Sequence, residues 1–130
     1  LLPATAKPAP YLQAVHELEQ TDQLPIARQA YRRAVERWPG NTTAWLALGN
    51  SAYADSDWPQ AVEAFRQAVN LDAGNATAWN NLAYALKAEG AQEEAIQAIE
   101  QALSLAPGDP NLQDSALEIR SPGRDHGRAR

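Results

Sequence analysis

Apolar residues recur along this chain in short bursts at helical spacing, separated by polar gaps. Tyr11, Ala14, Val15 and Leu18 form one burst, and Ala27, Tyr31, Ala34 and Val35 form the next. Steps of three and four put each burst on one stripe of an α-helix, because 3.6 residues complete a turn. The two bursts return as Trp45, Leu48, Gly49, Ala52 and Ala61, Phe65, Ala68, Val69. They return again as Trp79, Leu82, Ala83, Leu86 and Ala95, Ile99, Ala102, Leu103. The pattern predicts three pairs of amphipathic helices.

The period of the return is 34 residues. It links Trp45 to Trp79, Leu48 to Leu82, Ala61 to Ala95 and Ala68 to Ala102, and a step back from Trp45 reaches Tyr11. Gly40, Gly74 and Gly108 keep the same spacing, with Pro39 and Pro107 before two of them. The units are 8–41, 42–75 and 76–109. A single helix pair cannot bury its own apolar stripe, so units at a fixed period are expected to stack into one continuous core.

The punctuation agrees. Asn41 and Asn75 stand where a side chain caps the free amides of the next helix, and Gly40 and Gly74 suit a left-handed residue after a helix. Pro25 and Pro59 fall in a first turn, where a missing N–H costs nothing. Asp57 three residues before Gln60 fits a capping box.

These residues resemble the tetratricopeptide repeat over 8–109. The second unit carries Trp45-Leu46-Ala47-Leu48-Gly49-Asn50 and then Ala61, Phe65 and Ala68, which match the family's Trp-Leu-Gly and Ala-Phe-Ala signature in type and spacing. Departures are modest: Ala73 stands for the usual Pro, and Ala14 and Val15 for Leu and Gly. The resemblance implies an all-α fold, a right-handed superhelix or α-solenoid of three antiparallel helix pairs. Gly49 and Ala83 would let paired helices approach, and Ala61, Ala95, Ala68 and Ala102 would let units nest. Trp45, Trp79, Tyr31 and Phe65 are then core residues, and a bacterial repeat protein is the expected source.

Beyond the third unit, Pro110 opens a further helix, and Leu112, Ala116, Leu117 and Ile119 are expected to cover unit three as a capping helix over 110–120. Residues 1–7 read as an Ala/Pro-rich linker and 121–130 as a disordered tail. Leu1 is not preceded by Met and no signal pattern comes after it, so the chain is expected to be a fragment of a longer one.

Charge narrows the partners. The formal net charge is −5 over 130 residues. The last eleven hold four Arg against Asp125, so the body before them carries −8. An acidic body repels phosphate backbones, which argues against nucleic acid. No apolar run approaches the roughly 18 residues that span a bilayer, so a soluble chain is expected. With no Cys there is no disulfide or thiolate chemistry, and the compartment stays open.

Catalytic chemistry finds no foothold. His126 lies in the tail, and His16 with Glu19 at i, i+3 supplies two metal ligands where a site needs more. Neither a Gly-rich phosphate loop nor a nucleophile elbow occurs, so neither enzyme activity nor a cofactor is expected. Asn41-Thr42-Thr43 and Asn75-Ala76-Thr77 are formal glycosylation sequons, but helix capping already accounts for both Asn. Arg28, Arg32, Arg33 and Arg37 read as a solvated helix face.

In the resembled family the first helix of each pair lines the concave side and grips peptides or helices. The implied function is therefore a protein–protein interaction module. Candidate contact residues are Leu12, Gln13 and His16 from unit one, Thr43, Leu46, Ala47, Asn50 and Tyr53 from unit two, and Thr77, Asn80, Asn81, Tyr84 and Lys87 from unit three. Asn50 and Asn81 fall where peptide-binding members present amides to a ligand backbone, and an amide both donates and accepts. The chaperone-type carboxylate clamp also needs cations at positions here held by Leu46, Asn111 and Ser115, so an acidic C-terminal tail is not the expected ligand.

Two alternatives stand beside this. Three units are near the minimum for stability, and the basic stretch Arg28 to Arg37 complements Glu89, Glu93, Glu94 and Glu100, so one alternative is end-to-end assembly into a homo-oligomeric scaffold. Leu2-Pro3-Ala4-Thr5-Ala6 leading into repeats is also similar to the segment after a papain-like peptidase domain in some bacterial envelope proteins. In that case this part is a non-catalytic docking arm.

Overall fold

A computed structural model describes residues 5–21 and 23–122. Most of the linker expected at 1–7 and of the tail expected at 121–130, His126 included, lies outside the described residues. The described chain forms seven α-helices: α1 Pro8–Glu19, α2 Leu24–Arg37, α3 Thr42–Ala54, α4 Trp58–Leu71, α5 Ala76–Glu89, α6 Gln92–Leu105 and α7 Pro110–Arg120. The architecture is an all-α helical-repeat solenoid.

Each helix packs against the next, and this succession follows from the small residues on the buried stripes. Ala27, Ala34, Ala44, Ala61, Ala68, Ala78, Ala95 and Ala102 are all at 0% exposure. Larger side chains interleave with them: Tyr31, Leu48, Phe65 and Ile99 are almost fully enclosed. Gly49 is the closest approach. A methyl group built on it would lie 2.6 Å from Phe65 Cδ1 and 2.8 Å from Phe65 Cζ, so the ring occupies the space a side chain would need.

The side chains of Trp45 and Trp79 are half-buried edges of this core, and each of the two is pinned by its indole N–H. Trp45 Nε1 donates to Pro39 O and Trp79 Nε1 to Ala73 O, both at 2.8 Å. Gln113 Nε2 makes the equivalent bond to Pro107 O at 2.9 Å, a further 34 residues on. Asp109 caps α7 just as Asn41 caps α3 and Asn75 caps α5. Leu112, Ala116 and Ile119 are buried at the positions of Ala78, Leu82 and Ala85. By register, then, α7 is the first helix of another repeat.

Three details depart from the sequence expectation. Neither Gly40 nor Gly74 has a positive φ. Among the described residues those with positive φ are Ser56 (57°) and Gly90 (94°), also 34 apart, in the turns inside units two and three. The reason is that α2 and α4 end on residues of negative φ outside the helical region, Trp38 (φ −129°, ψ 69°) and Asp72 (φ −143°, ψ 76°), and each following turn closes with an ordinary i+3 bond, Asn41 N to Trp38 O and Asn75 N to Asp72 O. The capping box is half formed: Asp57 accepts from Gln60 N, while Gln60 Oε1 accepts from Arg32 at 3.0 Å. Ala14 and Leu18 of the first stripe are exposed, although Leu48, Leu82, Ala52 and Leu86 at the same repeat positions are buried. No described helix precedes α1 to cover them.

Candidate functional site

The backbones of the odd-numbered helices approach one another in order, α1 with α3, α3 with α5 and α5 with α7, whereas among the described residues those of the even-numbered helices stand farther apart. The stack is therefore tighter on the odd side and curves toward it. On the even side long side chains span the wider gaps. Arg28 reaches Asp55 (2.7 Å) and Asp57, Arg32 reaches Gln60, and Arg66 reaches Glu94 at 2.8 Å. Arg28 and Arg32 are thus engaged in linking α2 to the start of α4. Asp57 reports the pairing: the Arg28 hydrogen bond holds its carboxyl below the usual carboxylate range.

Two recesses open on the odd side. One, of about 390 Å³, lies between α1 and α3, where Leu12, Gln13, His16, Thr43 and Ala47 meet the edge of Tyr31. The other, of about 300 Å³, lies between α3 and α5 and is lined by Asn50, Tyr53, Asn81 and Tyr84, with Phe65 as its floor. Residues far apart in sequence converge here because positions 34 apart stand side by side on neighbouring helices. Asn81 Nδ2 donates to Asn50 Oδ1 at 3.1 Å across the α3–α5 gap.

The aromatic walls are neutral donors. Burial, then the charge of Glu118, raises the Tyr53 hydroxyl above its ordinary range. Burial also raises Tyr84, whose OH donates to Glu118 Oε1 at 3.1 Å. The Tyr53 ring leans on Trp58 with centroids 5.1 Å apart, which fixes one wall.

Other candidates are less free than the sequence reading makes them. Leu12 is 8% exposed and belongs to the core around Tyr31, although it also borders the first recess. Val15, one turn on, is buried with it while Ala14 and Leu18 are exposed, so the buried face of α1 is turned from the one the repeat pattern marks. Leu46 packs on the core edge. The side-chain oxygen of Asn80 is buried and has no hydrogen-bond partner among the described residues. Lys87 Nζ is taken up by α7, donating to the carbonyls of Glu118, Ile119 (3.4 Å) and Ser121 (3.1 Å). Those carbonyls are the unsatisfied end of α7, where a cation is favoured. His16 lies 3.4 Å from Glu19, and Gln13 bonds Glu17.

Glu118 is missing from the sequence candidates because a capping helix offers no obvious polar face to the groove. Its signal is nonetheless present, since it comes 34 residues after Tyr84. Among the described residues no group of three His, Cys, Asp or Glu could hold a metal ion, and no helix is long and apolar enough to cross a membrane.

The sequence profile of the tetratricopeptide repeat matches residues 11–75 and 46–110. No curated protein sequence matches the chain. Many solved structures share the fold. The second tetratricopeptide domain of human RPAP3, solved with the HSP70 peptide SGPTIEEVD, aligns with a TM-score of 0.81 at 19% identity, covering 88% of this chain and 97% of that one. The Arabidopsis OM64 tetratricopeptide domain aligns at 0.78 with 18% identity, covering 87% and 93%. An O-GlcNAc transferase of Thermobaculum terrenum aligns at 0.74 with 26% identity over 88% of this chain, which spans only 23% of that protein.

Proposed function

We propose that this chain, which belongs to the tetratricopeptide repeat family, is a non-catalytic interaction module that holds a peptide or helix of a partner protein on its concave, odd-helix face. The units 8–41, 42–75 and 76–109 supply that face. One observation carries the reading. The repeat absorbs its conspicuous aromatic and Ala residues into the core, yet Asn50, Tyr53, Asn81 and Tyr84 are left lining one recess between α3 and α5. An amide pair between two tyrosines offers donors and acceptors for an extended backbone and apolar surface for its side chains. The RPAP3 domains, solved with bound HSP70 and HSP90 peptides, support peptide binding as the class of function.

The test is a selection of random twelve-residue peptides displayed on phage against the immobilised chain, followed by anisotropy titration of synthetic copies. Replacing Asn50 and Asn81 by Ala removes two hydrogen-bonding groups at roughly 0.5–1.5 kcal/mol each, so affinity should fall by roughly fivefold to a hundredfold. Both side chains lie outside the core, and the thermal melt should hardly move. Peptides that bind the double variant as tightly as the parent would place the site elsewhere.

A further inference from the structure

The charge on the odd-numbered helices is lopsided in a way that bears on what fills the face they form. The odd-numbered helices carry Glu17, Glu19, Glu89, Asp114 and Glu118 against two cations, Lys87 and Arg120. Both cations are engaged: Lys87 on the α7 carbonyls and Arg120 on Glu100 at 3.5 Å. Helix α3, which forms the middle of the face, has no charged residue at all. Arg28, Arg32 and Arg66 sit on the opposite side, spanning the even-numbered helices.

At the α5–α7 end of the recess stands Glu118. One carboxylate oxygen accepts from Tyr84, which holds the group at the rim beside the recess bounded by Tyr53 and Tyr84. Its field also reaches the Tyr53 hydroxyl. The recess, of about 300 Å³, therefore combines two aromatic walls, an apolar floor in Phe65 and the amides of Asn50 and Asn81, and beside it stands one carboxylate oriented by Tyr84. Aromatic faces and a carboxylate each attract a cation, whereas an anion meets no free positive charge here.

Resting on the concave-face reading, we propose that the recess between α3 and α5 receives a lysine or arginine side chain of the partner peptide, with its charged head at Glu118. The aliphatic stem lies between Tyr53 and Tyr84, as the long apolar stems of these residues do on aromatic surface. Preference for a basic segment is the opposite of what an acidic tail such as SGPTIEEVD, bound by the RPAP3 domain, would need.

The same peptide selection tests this separately from the site itself. Clones that require Asn50 and Asn81 should be enriched in Lys and Arg. A synthetic copy should lose roughly three- to fivefold in affinity against Glu118→Gln, the loss of one exposed ion pair. Gln keeps an acceptor for Tyr84, so α7 stays in place. Replacing the basic residue of the peptide by Gln should cost the parent chain a similar factor and cost Glu118→Gln nothing. Clones that need the two Asn but carry no excess of Lys or Arg, or that bind Glu118→Gln unchanged, overturn the charge assignment and leave the concave site standing. A selection with no Asn-dependent clone overturns both.

Discussion

The tightest point of the core gives the sharpest prediction, because two opposing effects of one methyl group can be separated. Gly49→Ala adds a Cβ 2.6 Å from Phe65 Cδ1, where ordinary contact begins near 3.4 Å. Phe65 is 1% exposed, so its ring is held by the core and can yield only toward the recess it floors. Overpacking of this kind costs about 1–3 kcal/mol, and such a fixed ring belongs at the upper end. Against it stands the helix preference for Ala over Gly, about 1 kcal/mol. The net expectation is a loss of about 2 kcal/mol. The next repeat shows how the clash is avoided, since Ala83 and Ile99 occupy the positions of Gly49 and Phe65. Both are buried at 0%. Phe65→Ile removes the ring, so in that background Gly49→Ala should add about 1 kcal/mol of stability. The sign reverses, and the coupling energy is about 3 kcal/mol, at the top of the range for residues in contact. Urea unfolding of the four proteins at constant m-value measures it. A loss of equal size in both backgrounds would show that Gly49 is not there to admit the Phe65 ring.

The turns inside units two and three yield a paired test. Ser56 sits at φ 57° and Gly90 at φ 94°, and a side chain in that region costs about 1 kcal/mol. Ser56→Gly should therefore raise the urea midpoint slightly and Gly90→Ser should lower it; shifts of the same sign would refute the backbone argument. For acid, the lowered folded-state value of Asp57, owed first to Arg28, means that its stabilising contribution is present above the ordinary carboxylate range. That contribution is lost as pH falls below about 4 toward the folded value. Asp57→Asn keeps a capping oxygen and discards the ion pair. Its unfolding midpoint should lie below the parent's at pH 7 and converge on it in acid, and a constant gap across that range would assign the pairing no role.

The repeat itself is legible in the sequence because it is written in core residues. Trp, Phe, Leu and Ala at a 34-residue spacing name the buried stripes, and Asn41 and Asn75 name the helix starts. The turn chemistry is less legible. Gly40 and Gly74 are small and stand after helices, but the non-helical exits at Trp38 and Asp72, both of negative φ, let both turns close without a left-handed residue. The strained positions fall instead on Ser56 and Gly90, and nothing about a lone Ser announces a positive φ.

The binding face is harder to read for a related physical reason. The period fixes which positions stand side by side but not how the side chains there share their hydrogen bonds. Asn50 and Asn81 are 31 residues apart, not 34, and they meet because the neighbouring position on the next helix is one turn earlier. Lys87 looks like a free cation in the sequence, yet the open carbonyls at the end of α7 claim it. Extending the register by one more step places Glu118 beside Tyr84. Treating α7 as a cap hides this, because a cap is asked only which apolar face it covers. Its polar face continues the row of His16, Asn50 and Tyr84, and that row changes from neutral to acidic as it reaches α7. A helix that closes the core at the end of a solenoid thus also sets the charge at the end of its groove.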